Sequence, residues 1–386
     1  MKNLLVTMSG GTTSVINSTL AGIVFEAQKS SYINKIYAGC PGMTGFLQDN
    51  LIDLTDISLK ELKILKNSPG SASIGTTRTK IFNKSDLNSI KKYFKKYQIG
   101  YFVNIGGNGT IKQSKLISTC INDIKIAAAP KTVDNDLGDQ SFNQLWYTPG
   151  FPSCVNYWYH KMKMLNNENI GSADHDKVIA TQTFGRETGF IVGSLRLSDK
   201  FRKTPLMLLL PEDQQDNDAI LKRVEENIKE FGRCIVAMSE GYKIKNYDKN
   251  YDLTGQVMYG SSSSTALQQF INLCNENGIQ ARGFNPTIDQ RQNFEYTVES
   301  DINNSYIVGC EIIKNFMKGK SHFFQSYSKS GFSAIDLNKI NNYSRVMKKE
   351  WIDFGKFDVT DEYIKYLESI MIPTTPKKLF VYGNVV

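Results

Sequence analysis

Ile124-Lys125-Ile126-Ala127-Ala128-Ala129-Pro130 is an apolar run that passes directly into Lys131-Thr132-Val133-Asp134-Asn135-Asp136-Leu137. The first half predicts a buried strand. The second half ends that strand in an ammonium, a hydroxyl and two carboxylates. In open α/β sheets, ligands sit outside the carboxyl ends of the strands. Two carboxylates two residues apart, beside a lysine, can handle a metal-bound phosphate and take a proton from a hydroxyl. Asp and Asn also favour turns, so the stretch alone leaves an Asp-rich surface turn open.

The flanking segments narrow the choice. Upstream, Tyr101-Phe102-Val103-Asn104-Ile105 predicts a buried strand that runs into Gly106-Gly107-Asn108-Gly109-Thr110, with a helix from Ile111 to Ile117. Further upstream, Leu4 to Met8 predicts a strand, followed by Ser9-Gly10-Gly11-Thr12-Thr13-Ser14 and a helically spaced run from Val15 to Val24. A strand, a glycine turn and a helix start can bind phosphate, because the backbone approaches closely and helical N–H groups point outward. The spacing is neither the dinucleotide fingerprint nor the Walker loop. Ile36 to Gly39 predicts another strand, opening into the turn-rich Cys40 to Gly45. Asp86 to Tyr97 predicts an amphipathic helix with a lysine face. Ser68 to Arg78 is a small-residue loop that locally reads as a solvent loop with an incidental Arg78, and it could also set that guanidinium on phosphate oxygens.

Downstream, the region from Tyr147 to Asn167 begins with Thr148-Pro149-Gly150-Phe151-Pro152 and continues as an aromatic-rich helix. Val178 to Thr183 predicts a strand ending in Phe184-Gly185-Arg186-Glu187-Thr188-Gly189, with a helix from Phe190 to Leu197. Leu206 to Pro211 and Cys234 to Met238 predict strands on either side of a charged helix, Asp216 to Phe231. The second strand ends at Ser239-Glu240-Gly241. Ser261 to Ser264 before Thr265 reads as a helix start. Helices are expected at Ile302 to Met317 and near Glu362 to Ile370, and an added strand at Leu379 to Tyr382. Past about Lys339 the sequence is polar and carries little pattern. Polar residues gathered at strand ends predict an open α/β fold.

Composition excludes several classes. At 386 residues, 40% hydrophobic and 22% charged, the chain suits two globular domains. A net charge of +8 suits anionic small molecules, and no nucleic-acid motif accompanies the lysines. Six scattered cysteines fit neither a zinc site nor a disulfide framework. No run approaches the ~20 apolar residues of a membrane span, and the stretch Met1 to Val6 lacks the long apolar region and cleavage site expected of a secretory leader. A cytoplasmic protein is therefore expected. Three histidines, none beside a nucleophile, argue against histidine-based triad chemistry.

Together these segments resemble the phosphofructokinase family of the ATP- and pyrophosphate-dependent type, over about residues 4 to 320. Pro130 to Asp136 is similar to its PKTIDND signature, and Gly106 to Thr110 to its GGDGS/GGDGT phosphate loop. Phe184-Gly185-Arg186 is similar to its MGR segment with one change, Ser239-Glu240-Gly241 to its SEG, and Gln290-Arg291 to its QR pair. The N-terminal Ser9 to Leu20 resembles the pyrophosphate-using branch.

The resemblance implies two Rossmann-like α/β domains with mostly parallel sheets. Residues 1–145 would bind the phosphoryl donor, with about 320–386 packing back onto them, and 146–320 would bind a sugar phosphate. It implies Asp134 as base toward the sugar C1 hydroxyl, with Lys131 and Thr132 steadying the transferring group. Gly11, Arg78, Gly107, Asn108, Gly109 and Thr110 would surround the donor phosphates, and Asn108 and Asp136 would lie near Mg²⁺. Thr132, Asp134, Lys177, Phe184, Gly185, Arg186, Glu240 and Arg291 would hold the sugar phosphate, with Lys177 where the family often supplies an arginine from a neighbouring subunit. A homodimer or homotetramer is implied.

Three departures bear on specificity. Asn108 replaces the family's usual Asp, removing a carboxylate from the Mg²⁺ side. Gly109 stands where the pyrophosphate branch usually has a second Asp, whose charge repels a nucleotide phosphate. Glycine there favours ATP, Lys131 leans towards pyrophosphate, and the expected donor is ATP with pyrophosphate as the alternative. Asp289, beside Gln290-Arg291, leaves sedoheptulose 7-phosphate or a modified sugar phosphate open besides fructose 6-phosphate. A non-catalytic phosphosugar-binding regulator is the reading from another class. Retention of Asp134, Asp136, Thr132 and Lys131 argues against it.

Overall fold

A computed structural model of the chain describes residues 1–79, 84–244, 265–341 and 343–375, with the strand pair Phe380–Val381 and Asn384–Val385. It divides into two compact units: Met1–Ser153 with Arg291–Arg345, and Cys154–Gln290 with Val346–Val386. In chain order the first unit contributes β1 (Lys2–Met8), β2 (Ile33–Gly39), β3 (Leu51–Asp53), β4 (Ile99–Gly106) and β5 (Lys125–Pro130). The second contributes β6 (Val178–Thr183), β7 (Leu206–Leu209), β8 (Cys234–Ser239) and β9 (Ala281–Phe284). The first unit then closes with β10 (Phe323–Ser328) and β11 (Gly331–Asp336).

The first unit's sheet runs β11-β10-β5-β4-β1-β2-β3. Only β2 with β3 and β10 with β11 pair antiparallel. Its central strands are buried on both faces, as in parallel sheets covered on both sides. Alternation divides their side chains. Leu4, Val6 and Met8 join one core with Ile16, Leu20 and Phe316. Leu5 and Phe102 join another with Phe46, Phe94 and Ile117.

Register positions the chemistry. Met8 pairs with Ile105, and Gly106 with Pro130. The carboxyl ends of β1, β4 and β5 are therefore level. The segments that follow, Ser9–Gly11, Gly107–Gly109 and Lys131–Asp136, leave the sheet along one edge.

The second unit's sheet runs β7-β8-β6-β9, all parallel. Val178, Ala180, Val236, Met238 and Phe270 share its core. Thr183 pairs with Ser239, which levels the Phe184–Arg186 and Glu240–Gly241 segments.

The partition differs from the sequence expectation at two places. Helix Glu299–Met317, expected with the second unit, packs on helix Ile16–Ala27 of the first. A Cβ on Gly22 would lie 2.0 Å from Tyr306 O, and one on Gly309 2.2 Å from Thr19 O. The two backbones touch where no larger residue fits. The C-terminal segment also divides: 320–345 belongs to the first unit and 346–386 to the second.

Two elements lacked a strong local pattern. The β10–β11 hairpin extends the first sheet beside β5. Helix Leu59–Lys66 is opened by a capping box of Ser58 and Glu61. The Ser261–Ser264 helix start lies outside the described residues. Thr265 caps helix Ala266–Glu276, its hydroxyl accepting from Gln268 N at 3.1 Å. Of the expected tail strand, Phe380–Val381 pairs with Asn384–Val385, and Leu379 and Tyr382 lie outside the described residues.

Candidate active site

In the first unit, the loop after β5 is tied down from both sides. Lys131 N donates to Gly106 O at 3.0 Å, continuing the β4 pairing. Lys131 is only 3% exposed. Its ammonium donates to Ser9 O at 2.9 Å and also to Gly11 O. The lysine therefore braces the first glycine turn against the β5 end. Its charge stands among carbonyls at the level where donor phosphates were expected. Thr132 Oγ1 accepts from Asp134 N at 3.1 Å, a local turn bond. Thr148 closes the far side: its hydroxyl donates to Thr132 O at 2.8 Å and its N to Asn135 Oδ1 at 3.0 Å.

Asn135, between the two aspartates, has φ +57. Asn tolerates this left-handed region better than most residues. Asp136 is 4% exposed. Its Oδ2 accepts from Asn108 Nδ2 and from Ser344 Oγ, both at 2.9 Å. Asn108 also donates to Ser344 Oγ at 2.9 Å, closing a three-membered ring of hydrogen bonds.

The two glycine junctions differ. After β4, Gly107 is the N-cap and helix Asn108–Cys120 starts at once, so a true helix N-terminus faces the strand ends. After β1, the helix starts only at Ile16. The intervening residues hold a different bond, Gly70 N to Thr13 O at 3.2 Å. The helix thus starts close to the expected Val15, and the Ser9–Gly11 turn lies several residues ahead of its N-terminus.

The other donor-side residues spread in role. Gly10 N donates to Thr77 O at 2.9 Å, which brings the exposed Arg78 next to the turn. Thr110 is 5% exposed and folds over Gly106, where a Cβ would lie 2.1 Å from its Oγ1. Thr110 thus packs the strand end. Gly109 is open, with no heavy atom within 4 Å of a Cβ built there. Arg291, expected on the sugar side, belongs to the first unit, and a Cβ on Gly11 would lie 2.9 Å from its Nη1.

In the second unit, Phe184, Gly185 and Arg186 form a turn with φ +123 at Gly185 and +52 at Arg186. Arg186 N donates to Glu240 Oε1 at 3.3 Å, and Ser239 Oγ donates to Arg186 O at 2.7 Å. A Cβ on Gly241 would meet Arg186 O at 2.0 Å, so only glycine lets the two turns close. Buried Gln290 supports them: its Oε1 accepts from Phe184 N at 2.8 Å and Trp158 Nε1 at 3.1 Å. Lys177 is not part of this cluster. It precedes β6, whereas Phe184 follows it, and six strand residues span roughly 20 Å.

Sequence reasoning missed three contributors. Ser344 and Arg345 come from the polar stretch past Lys339, and Arg345 is fully buried. The only local signal was an arginine after a serine with no amphipathic pattern. Buried Asp301 was also missed. It accepts from Gly150 N at 3.1 Å and Ser153 Oγ at 2.7 Å, beside the Pro149–Gly150 segment that pairs with Thr132. Burial pushes its carboxyl up to about 6, and those hydrogen bonds oppose the shift.

The residues suit Mg²⁺ in one manner only. No group of three or more His, Cys, Asp or Glu gathers as a metal cage among the described residues. One buried carboxylate, Asp136, at a helix start fits an ion that keeps its waters and arrives on donor phosphates.

Residues 3–293 match the protein family described as Phosphofructokinase. A pyrophosphate--fructose 6-phosphate 1-phosphotransferase of Rhodospirillum rubrum is 27% identical to the chain, over 95% of it and 94% of that protein. An ATP-dependent 6-phosphofructokinase of Amycolatopsis methanolica is 23% identical over 72% of the chain and 60% of that protein. The crystal structure of a pyrophosphate-dependent phosphofructokinase from Nitrosospira multiformis superposes with a TM-score of 0.83 at 25% identity. It covers 99% of the chain and 95% of its own. Among the described residues, no helix is long and apolar enough to cross a membrane.

Proposed function

The chain belongs to the phosphofructokinase family, and from that premise we propose that it moves a phosphoryl group from pyrophosphate to the C1 hydroxyl of fructose 6-phosphate. Pyrophosphate replaces the ATP expected from Gly109. The observation that carries the choice is the relative named for pyrophosphate, which spans nearly the full length of both proteins, whereas the one named for ATP spans less of each. Lys131 agrees with it, since its buried ammonium sits at the first glycine turn.

Asp134 takes the proton from the C1 hydroxyl as that oxygen attacks the distal phosphorus. The new P–O bond forms as the bond to the bridging oxygen breaks, and orthophosphate leaves. Phosphoryl transfer needs positioning and charge neutralisation more than covalent help. Lys131 and Thr132 steady the transferring group. Gly11, Arg78, Gly107 and the helix start at Asn108 take the donor phosphate oxygens. Asp136 and Asn108 would hold Mg²⁺ on the donor phosphates, where the ion would neutralise donor charge. Arg186 and Arg291 pair with the sugar phosphate, and Glu240 accepts sugar hydroxyls. Lys177 acts from a neighbouring subunit of a homo-oligomer, and the enzyme works in the cytoplasm.

ATP stays as a second reading on one observation, the open space at Gly109. Assaying the protein with fructose 6-phosphate, Mg²⁺ and each donor separates the two. Pyrophosphate turnover is expected, and Asp134→Ala should lower it about 10²–10⁴-fold with the fold intact by circular dichroism. Wild-type turnover with neither donor would sink the assignment.

A further inference from the structure

Ser344 and Arg345 converge on the loop that carries Asp134 and Asp136. Arg345 N donates to Asp136 O at 2.9 Å. Its guanidinium donates through Nε to Asn135 O and through Nη2 to Asn135 Oδ1, both at 2.6 Å, and through Nη1 to Leu145 O at 2.5 Å. Its central carbon lies 3.9 Å over the Phe142 ring. A buried guanidinium is costly unless its planar fork is matched. Here the fork is matched by oxygens at both ends of the loop, residues 135 and 145. The arrangement holds Asn135 in its left-handed conformation between the two aspartates.

Ser344 acts on the side chain. Its hydroxyl donates to Asp136 Oδ2 and accepts from Asn108 Nδ2. The carboxylate thus has one oxygen engaged by two donors, one from the start of helix Asn108–Cys120 and one from Ser344.

We propose that Ser344 and Arg345 are positioning residues for phosphoryl transfer. Arg345 sets the backbone of the Asp134–Asp136 loop, and Ser344 sets the Asp136 carboxylate that faces the donor and its Mg²⁺. This rests on the reading of that loop as the transfer site. Partners that orient a metal-side ligand typically change affinity or activity about 10–100-fold when lost. A segment that merely completes the fold would change stability and leave donor affinity alone.

The test uses the full chain with Ser344→Ala, Ser344→Thr and Arg345→Lys, and whichever of pyrophosphate or ATP the wild type turns over. Ser344→Ala should raise the donor KM and the half-saturating Mg²⁺ roughly tenfold, with little change in the sugar phosphate KM. Ser344→Thr keeps the hydroxyl and should restore both. Calorimetric binding of the non-hydrolysable imido analogue of that donor, with Mg²⁺, should weaken in parallel without any turnover. Arg345→Lys keeps the charge but loses the fork, and should lower kcat in a protein that still melts cooperatively. Wild-type donor KM, Mg²⁺ dependence and analogue affinity in Ser344→Ala overturn the proposal, whatever Arg345→Lys does, and leave the assigned reaction standing. A wild type inactive with both donors removes the assigned reaction and this proposal together.

Discussion

Asn108 Nδ2 donates to Oδ2 of Asp136 at 2.9 Å. A position where the family usually carries a carboxylate here supplies a hydrogen-bond donor to the neighbouring aspartate. Asn108→Asp would remove a bond to a charged group, worth about 1.5–3 kcal/mol, and set two carboxylates side by side. In chelator the variant should melt lower, by roughly 2–4 °C per kcal/mol for a domain of this size. Added Mg²⁺ should restore the transition, because a cation favours the paired carboxylates. Scanning calorimetry with and without Mg²⁺ checks this. A variant that melts identically in both conditions would show that the pair does not face the ion.

Gly109 borders open space, with nothing within 4 Å of a would-be Cβ. Gly109→Asp should therefore fold normally. The new carboxylate would repel a nucleotide phosphate, and like charges about 4 Å apart cost on the order of 4 kcal/mol at an effective dielectric of 20. Any turnover that the wild type shows with ATP should fall at least about tenfold, which needs only ~1.4 kcal/mol, while pyrophosphate turnover persists. Parallel assays with the two donors decide it. Unchanged ATP use would mean that the loop does not select the donor.

Asp301 links pH to stability. Burial disfavours the charged form and pushes its carboxyl up to about 6, above the ordinary carboxylate range. The folded state therefore holds this proton more tightly than the unfolded state. The stabilising contribution is complete below pH ~4 and is lost as pH rises through about 6, on the order of 3 kcal/mol in all. Asp301→Asn should flatten the stability profile between pH 4 and 6 relative to the wild type, read from urea midpoints across that range. Identical pH slopes would refute the shift. Asp301 holds Gly150 beside Thr132, so the same variant tests whether the loop feels that titration.

Much of the candidate site was legible locally. The apolar run into Lys131–Asp136, the two glycine junctions and the polar ends of β6 and β8 all carry their chemistry in consecutive residues. A parallel strand buried on both faces leaves its polar residues at its end. Boundaries were less legible. Helix Glu299–Met317 looked like part of the second unit, because nothing in its own sequence names the partner that Gly22 offers. The fate of Lys131 was equally hidden. Besides the phosphate contact that its charge suggests, its ammonium meets the Ser9 and Gly11 carbonyls.

The sequence by itself determined the α/β class, the family and the residues at the strand ends, because periodicity and short motifs are properties of neighbouring residues. Only the tertiary structure decided which of those ends lie level, through the pairing of Met8 with Ile105 and Gly106 with Pro130. It also decided what holds the central loop in shape. Arg345 reaches Asn135 across 210 residues of chain. A buried fork finds its oxygens through the packing of the whole unit, and no local spacing encodes a bond of that range.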